Sequence, residues 1–221
     1  MKNIKQLQFI AVLMVLLIIT LPVCSAVAIS GTAVQVTDTT AKIIWQTDTQ
    51  STGIVNYGET TSSLSAAAST AGQAASHEVN LNNLESNEYY YYNIQATDTS
   101  GTYTSNYMNF TTLLSAPQNL ALDDLSQNYV KITWDVVSGA QSYNVYKDGA
   151  LFGTTTQKMF ETSSLSYKTT YSFVVKAVDK YKRESASSKH IVCHNTRAGS
   201  ELFICSGKRY HKNNSNNCVA D

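Results

Sequence analysis

One strand pattern is written twice in this chain, and an internal repeat constrains architecture more than any other sequence feature. The first copy reads Ala41-Lys42-Ile43-Ile44-Trp45, then Leu84 and, six residues on, Tyr90. The second reads Val130-Lys131-Ile132-Thr133-Trp134, then Leu165 and, again six residues on, Tyr171. In each copy a Trp ends a short alternating strand and a Tyr opens a long one. Successive side chains of a strand point to opposite faces, so apolar residues at period 2 bury one face of a sheet. Two such units within 221 residues read as two tandem β-sandwiches.

The strand pattern can be followed through both units. In the first, residues 29–36, 41–45 and 53–58 alternate, and 77–81 resumes the pattern. Residues 88–97 form the strongest strand, with Tyr90, Tyr92, Ile94 and Ala96 on one face. Asp98-Thr99-Ser100-Gly101 turns it. Residues 62–76 are almost all Ser, Ala, Thr, Gly and Gln, and read as a long connection or a weak edge strand. In the second unit Val130, Ile132 and Trp134 face inward, Asp148-Gly149 marks a hairpin, and Tyr171, Phe173, Val175 and Ala177 form the long inward face. Residues 113–118 connect the units and are too few to let them separate far.

The first 28 residues read as a secretory signal peptide. Lys2 and Lys5 precede an apolar run over 9–23, and Ala26-Val27-Ala28 supplies small residues for cleavage after Ala28 or Ala26. The run is shorter than the roughly 20 apolar residues of a membrane-spanning helix, and Pro22 interrupts it, so no stable transmembrane span is expected after cleavage. An uncleaved or lipidated anchor is the alternative. The expected division is thus 1–28 signal peptide, 29–113 first domain, 114–192 second domain and 193–221 a poorly ordered Cys/His/Asn-rich tail.

Loss of the leader leaves 14 basic and 16 acidic side chains. Residues 29–113 carry seven acids and one Lys, while 116–189 carry nine bases and seven acids. Neither domain has the basic stripe of a nucleic-acid binder, so no nucleic-acid partner is expected. Of four Cys, Cys24 lies in the leader and Cys193, Cys205 and Cys218 lie in the tail. Secretion permits a disulfide among those three, with the pairing open. Cys193, His194, Cys205, His211 and Cys218 are also zinc-type ligands, but no Cys-x-x-Cys is present and the spacings match no zinc finger.

At these residues both units resemble fibronectin type III domains. In that family a buried Trp closes the second strand, and a Leu precedes by six residues a "tyrosine corner" Tyr that opens a long strand. Trp45, Leu84 and Tyr90 match in the first unit, and Trp134, Leu165 and Tyr171 in the second. The resemblance implies that these six residues are structural core and that the corner hydroxyl bonds to backbone. The usual Pro-Gly between Leu and Tyr is replaced by Ser86-Asn87 and by Tyr167-Lys168. Ala116-Pro117-Gln118-Asn119-Leu120 is similar to the family's opening. The first unit also resembles the non-catalytic sandwich in front of purple acid phosphatases, at 43–47, 55–58 and 76–79. No Asp-x-His or Gly-Asn-His-Glu accompanies it, so His77 reads as a packing or hydrogen-bonding residue.

Chemistry-bearing motifs are missing. There is no Gly-x-Ser-x-Gly and no Gly-Lys-Ser/Thr phosphate loop, so no enzyme, cofactor or metal is expected. Two surface features remain. Tyr89, Tyr91 and Tyr107 point outward and form a candidate binding patch, with stabilising cross-strand pairing as the alternative. Asn109 and Asn213 are glycosylation acceptors, and a glycan on Asn109 would partly cover the patch. The expected function is a secreted or cell-surface, non-catalytic binding, adhesion or spacer protein whose partner is a cell-surface protein or polysaccharide. The alternative is an accessory subunit or fragment of an extracellular hydrolase, a phosphatase or polysaccharide-degrading enzyme.

Overall fold

The computed structural model describes residues 27–125, 128–166 and 169–194, and the strand backbones of 202–205, 208–212 and 218–220. Residues 1–26 of the expected leader, the Asn213 acceptor and the pair Tyr167-Lys168 lie outside the described residues.

The first unit has seven strands: β1 (Ile29–Val36), β2 (Ala41–Gly58), β3 (Ala66–Ser69), β4 (Ala74–Leu81), β5 (Tyr89–Asp98), β6 (Gly101–Thr104) and β7 (Met108–Thr111). The two strands expected at 41–45 and 53–58 are one 18-residue strand. Its first half pairs with β1 and β4, and its second half with β3 and β5, all antiparallel. The β2–β4 register shifts between Gln46 and Ser51, where β2 passes from one sheet to the other. An irregularity of this kind lets a continuous strand turn a sandwich corner. The small-residue stretch 62–76 contains edge strand β3 and the start of β4. Beyond it, β5 pairs with β2 on one side and with β6 and β7 on the other.

The second unit repeats the plan with β8 (Ala121–Leu125), β9 (Val130–Thr133), β10 (Ser142–Lys147), β11 (Ala150–Thr155), β12 (Met159–Thr162), β13 (Thr170–Val178) and β14 (Ile191–His194). A three-stranded sheet, β12-β9-β8, accompanies the path β11-β10-β13-β14. Asp148 and Gly149 turn β10 into β11 with φ of 51° and 83°. Two successive positive φ values match the right-handed twist of the flanking strands, which is why Asp-Gly suits the position. The chain is therefore all-β and antiparallel, with two tandem fibronectin type III-like sandwiches and no helix among the described residues.

Each sandwich has its own core. Trp45, Leu84, Tyr90, Ile43, Ile94 and Phe110 are buried in the first, and Trp134, Leu165, Tyr171, Ile132, Phe173 and Val175 in the second. Gly53 is required beneath Trp45, because a Cβ there would lie 2.3 Å from indole Cζ2. Both corner hydroxyls accept a backbone amide: Glu85 donates to Tyr90 Oη at 3.0 Å and Ser166 to Tyr171 Oη at 2.8 Å. Asn87 stands where the family has Gly and adopts φ of 58°. Asn tolerates that left-handed conformation better than other side chains, so the corner closes without glycine.

His77, on β4, is buried. Its ring stacks on Trp45, with centroids 4.9 Å apart and planes 12° apart. Nε2 lies 3.1 Å from Thr47 Oγ1 and 3.2 Å from Ser51 Oγ. Burial lowers its pKa from the ordinary 6.5, with the Ala74 carbonyl opposing.

Val27 and Ala28, which cleavage after Ala26 leaves on the mature chain, pack on the first sandwich: Val27 is buried, and the Ala28 amide donates to Asp48 Oδ1 at 2.8 Å. The tail expected to be poorly ordered begins inside β14, where Cys193 is buried and disulfide-bonded. The backbone then adds β15 (Leu202–Cys205), β16 (Lys208–Lys212) and β17 (Cys218–Ala220) to the second sheet. The β14–β15 register sets Cys193 opposite Cys205, and Cys218 lies opposite Lys212 on β16. A sheet edge offers unpaired N–H and C=O groups, and the backbone of β15 pairs with those of β14.

Two stability predictions follow from the cores. Tyr90→Phe and Tyr171→Phe should each cost about 1–3 kcal/mol by leaving an amide without its acceptor, read from urea midpoints. Either variant matching the native midpoint would show that water replaces the bond without penalty. The His77 prediction concerns pH. A base with a depressed folded-state pKa is protonated more readily when unfolded. Its stabilising contribution is therefore present above about pH 6.5 and lost as pH falls toward the folded value. The urea midpoint should drop between about pH 7.5 and 5.5, and His77→Gln should drop less over the same interval. Equal drops would assign the dependence to other groups.

Candidate binding site

The run Glu88-Tyr89-Tyr90-Tyr91-Tyr92 is split by the pleat. Tyr90 and Tyr92 enter the core, and Tyr89 and Tyr91 stand on the outer face of β5. Tyr89 is 40% exposed and meets Tyr91 edge-on, with centroids 5.0 Å apart and planes at 69°. The β5–β7 register sets Tyr91 opposite Asn109 and Tyr89 opposite Thr111. Tyr107, just before β7, is 54% exposed. It makes no ring contact with the other two among the described residues. The exposed Asn109 is the next outward residue after it along the chain. The proposed patch is thus one touching pair, Tyr89 and Tyr91, with Tyr107 set apart and a glycan acceptor directly opposite Tyr91.

Sequence reasoning missed the other half of this surface. Tyr181 is 62% exposed on the loop after β13 and lines, with Tyr89, a groove of about 280 Å³ between the sandwiches. Asn87, Glu88, Thr111, Gln141 and Lys180 complete its polar lining. Burial raises the Tyr89 pKa above its ordinary value, and the nearby Tyr91 and Tyr181 phenols add to the shift. The two rings lie 92 positions apart in the chain, on different domains. The available sequence signal was an aromatic flanked by charge, Asp179-Lys180-Tyr181-Lys182-Arg183.

The loop that carries Tyr181 is built around Asp179. Its buried carboxylate accepts the amides of Tyr181 at 2.8 Å and Arg183 at 2.9 Å, and Arg183 Nε at 2.7 Å. Burial alone would raise the Asp179 pKa, but these donors hold it below the ordinary value. Arg183 then reaches the first sandwich, donating from Nη1 to the Thr111 carbonyl at 3.1 Å and from Nη2 to the Thr112 carbonyl at 3.4 Å.

The connection itself has no slack. Leu113 donates to the Thr37 carbonyl of the first sandwich, while Leu114 is buried in the core of the second. Gly139, at φ of 82°, lies so close to Asn87 that a Cβ would sit 2.4 Å from its Nδ2. Among the described residues no group of three or more His, Cys, Asp or Glu gathers as for a metal. No helix among them is long and apolar enough to cross a membrane.

No family model matches the chain. Over 74 residues, 34% of its length, it is 39% identical to a poly(3-hydroxybutyrate) depolymerase from Ralstonia pickettii, and it spans 15% of that protein's length. A two-domain fibronectin type III segment of chicken tenascin is 15% identical, with 74% of this chain and 97% of that one covered at a TM-score of 0.39. The FN3tt mut structure is 20% identical, with 38% of this chain and 98% of that one covered at a TM-score of 0.33.

The Asp179 cluster makes a testable demand on stability. Asp179→Ala removes the acceptor of three donors and should destabilise the second sandwich by about 2–4 kcal/mol in urea unfolding. Gly139→Ala should destabilise through its left-handed backbone and its contact with Asn87. A native-like midpoint for Asp179→Ala would mean that the loop is held by other contacts.

Proposed function

We propose that this chain is a non-catalytic, secreted or cell-surface recognition protein whose two sandwiches support an outward-facing tyrosine surface. The observation that carries the reading is the pair Tyr89 and Tyr91, the first exposed and the second half-buried, in contact on the outer face of β5 while their neighbours Tyr90 and Tyr92 are buried. Aromatic rings on a rigid sheet supply contact area at low entropic cost, which suits docking of a protein or polysaccharide. The direct connection at Leu113-Leu114 and the Arg183 bridge favour a stiff support, so a spacing role is compatible with the same structure.

A second reading makes the chain an accessory part of an extracellular polymer-degrading hydrolase. The 74-residue likeness to a poly(3-hydroxybutyrate) depolymerase favours it. The sequence resemblance of the first unit to the sandwich of purple acid phosphatases would extend the same accessory role to a phosphatase. In both versions the catalytic residues belong to another domain or subunit.

The test is a pull-down of the full chain on intact envelopes and extracellular polysaccharides of the producing organism, beside a folded Tyr89/Tyr91/Tyr107→Ser variant. Saturable binding lost in the variant is the expected result. Binding kept by both would move recognition to the loops or the second sandwich. No binding by either would favour the accessory or spacer reading.

A further inference from the structure

The groove between the sandwiches has a chemistry of its own. One wall carries Tyr89 and Glu88 from the first sandwich, and the other Tyr181, Lys180 and Gln141 from the second. Asn87 joins them at the junction. Neither the Asn87 nor the Gln141 carboxamide bonds to protein among the described residues. We propose that this groove is a binding site for a short stretch of a neutral polysaccharide chain, an inference that rests on the recognition reading above and adds a ligand class and a second wall.

Three properties lead there. A sugar ring presents a C–H face, which packs on a phenol ring, and a rim of hydroxyls that both donate and accept. A carboxamide also does both, whereas an ammonium only donates and a carboxylate only accepts. The groove thus offers two rings and two free carboxamides, the groups that complement a polyhydroxylated chain. Its charges balance, with Glu88 against Lys180, so neither an acidic nor a basic polymer gains from entering. Its volume of about 280 Å³ is near the lower end of small-ligand sites, roughly 300–1,000 Å³, which suits a short segment of a longer chain.

The second wall is also held in place before any ligand arrives. Asp179 accepts the Tyr181 amide, Lys182 adopts φ of 65°, and Arg183 ties the loop to the Thr111 and Thr112 carbonyls. A left-handed lysine is uncommon and persists when its surroundings enforce it. The Arg183 guanidinium carbon lies 5.5 Å from the centre of the Tyr181 ring, so the bridging residue also buttresses the ring. Preset walls lose little entropy on binding, which favours affinity from a small contact. Arg183 is a positioning residue in this arrangement, because it acts through Tyr181 and the junction.

The experiment is isothermal titration of the full chain with hexasaccharides of β-1,4-glucan, β-1,3-glucan, β-1,4-xylan and β-1,4-mannan. Hexagalacturonate serves as the acidic comparison, and sedimentation with poly(3-hydroxybutyrate) particles as the polyester comparison. At least one neutral hexasaccharide should bind. Tyr181→Ala and Gln141→Ala should each weaken it about tenfold, and Leu151→Ser, at an exposed β11 position that does not line the groove, should leave it within about twofold. Native affinity in Tyr181→Ala would overturn the groove, as would failure of every neutral hexasaccharide or preference for hexagalacturonate or the polyester. Retention in Tyr181→Ala with loss in Tyr107→Ser would sink the groove and keep recognition on the sheet face. Hexasaccharide failure with sound envelope binding would likewise sink the groove alone.

Discussion

The hydrogen bond from the Glu85 amide to the Tyr90 hydroxyl pins the register of β5, and the first sandwich is organised around that register. A slip of one residue would exchange the two faces of the strand. Tyr89 and Tyr91 would be buried, and Tyr90, Tyr92 and Ile94 exposed. The same bond, between Ser166 and Tyr171, does this work for β13. In both units the corner lies next to the Leu that anchors the loop, so side-chain packing and backbone bonding enforce one register. The Tyr89–Tyr91 pair is a consequence of that register.

A second constraint acts where the sandwiches meet. Adjacent residues, Leu113 and Leu114, belong to different domains, and Gly139 leaves no room for a side chain beside Asn87. Arg183 spans the boundary with hydrogen bonds to two carbonyls, Thr111 and Thr112, one of which follows the last residue of β7. Those carbonyls lie at the edge that also carries Asn109. The bridge therefore couples the Tyr181 loop to the strand that flanks the tyrosine pair. Because Asp179 neutralises Arg183 and is itself shielded, the bridge is anchored from the second sandwich.

For function, these two constraints put an aromatic pair on an outer sheet face and a mixed aromatic and amide groove beside it. Neither holds a nucleophile, an activated base or a metal cluster among the described residues, and His77 is committed to Trp45, Thr47 and Ser51. Recognition needs surface and rigidity more than reactivity, and this molecule has both at the same place. The Asn109 acceptor opposite Tyr91 adds a way to restrict the sheet face, because a glycan there would lie beside the pair.

Much of this architecture was legible in the residues themselves. Period-2 alternation identifies the long strands, because pleating ties every second side chain to one face. The Trp, Leu and Tyr spacing marks both cores, because a buried phenol needs a backbone partner within a few residues. The outward direction of Tyr89, Tyr91 and Tyr107 follows from the same alternation. Other features needed the folded chain. The fusion of 41–45 with 53–58 into β2 depends on an irregularity that only the facing sheets demand. Val27 and Ala28 join the first sandwich through Asp48, a residue with no sequence link to them. The tail pairs with β14 because that strand leaves an edge open. Tyr181 meets the groove of Tyr89 through the Asp179–Arg183 bridge, across 92 positions of chain. Local periodicity is written in neighbouring residues, whereas a junction is set by which distant backbones and charges the fold brings within a few ångströms.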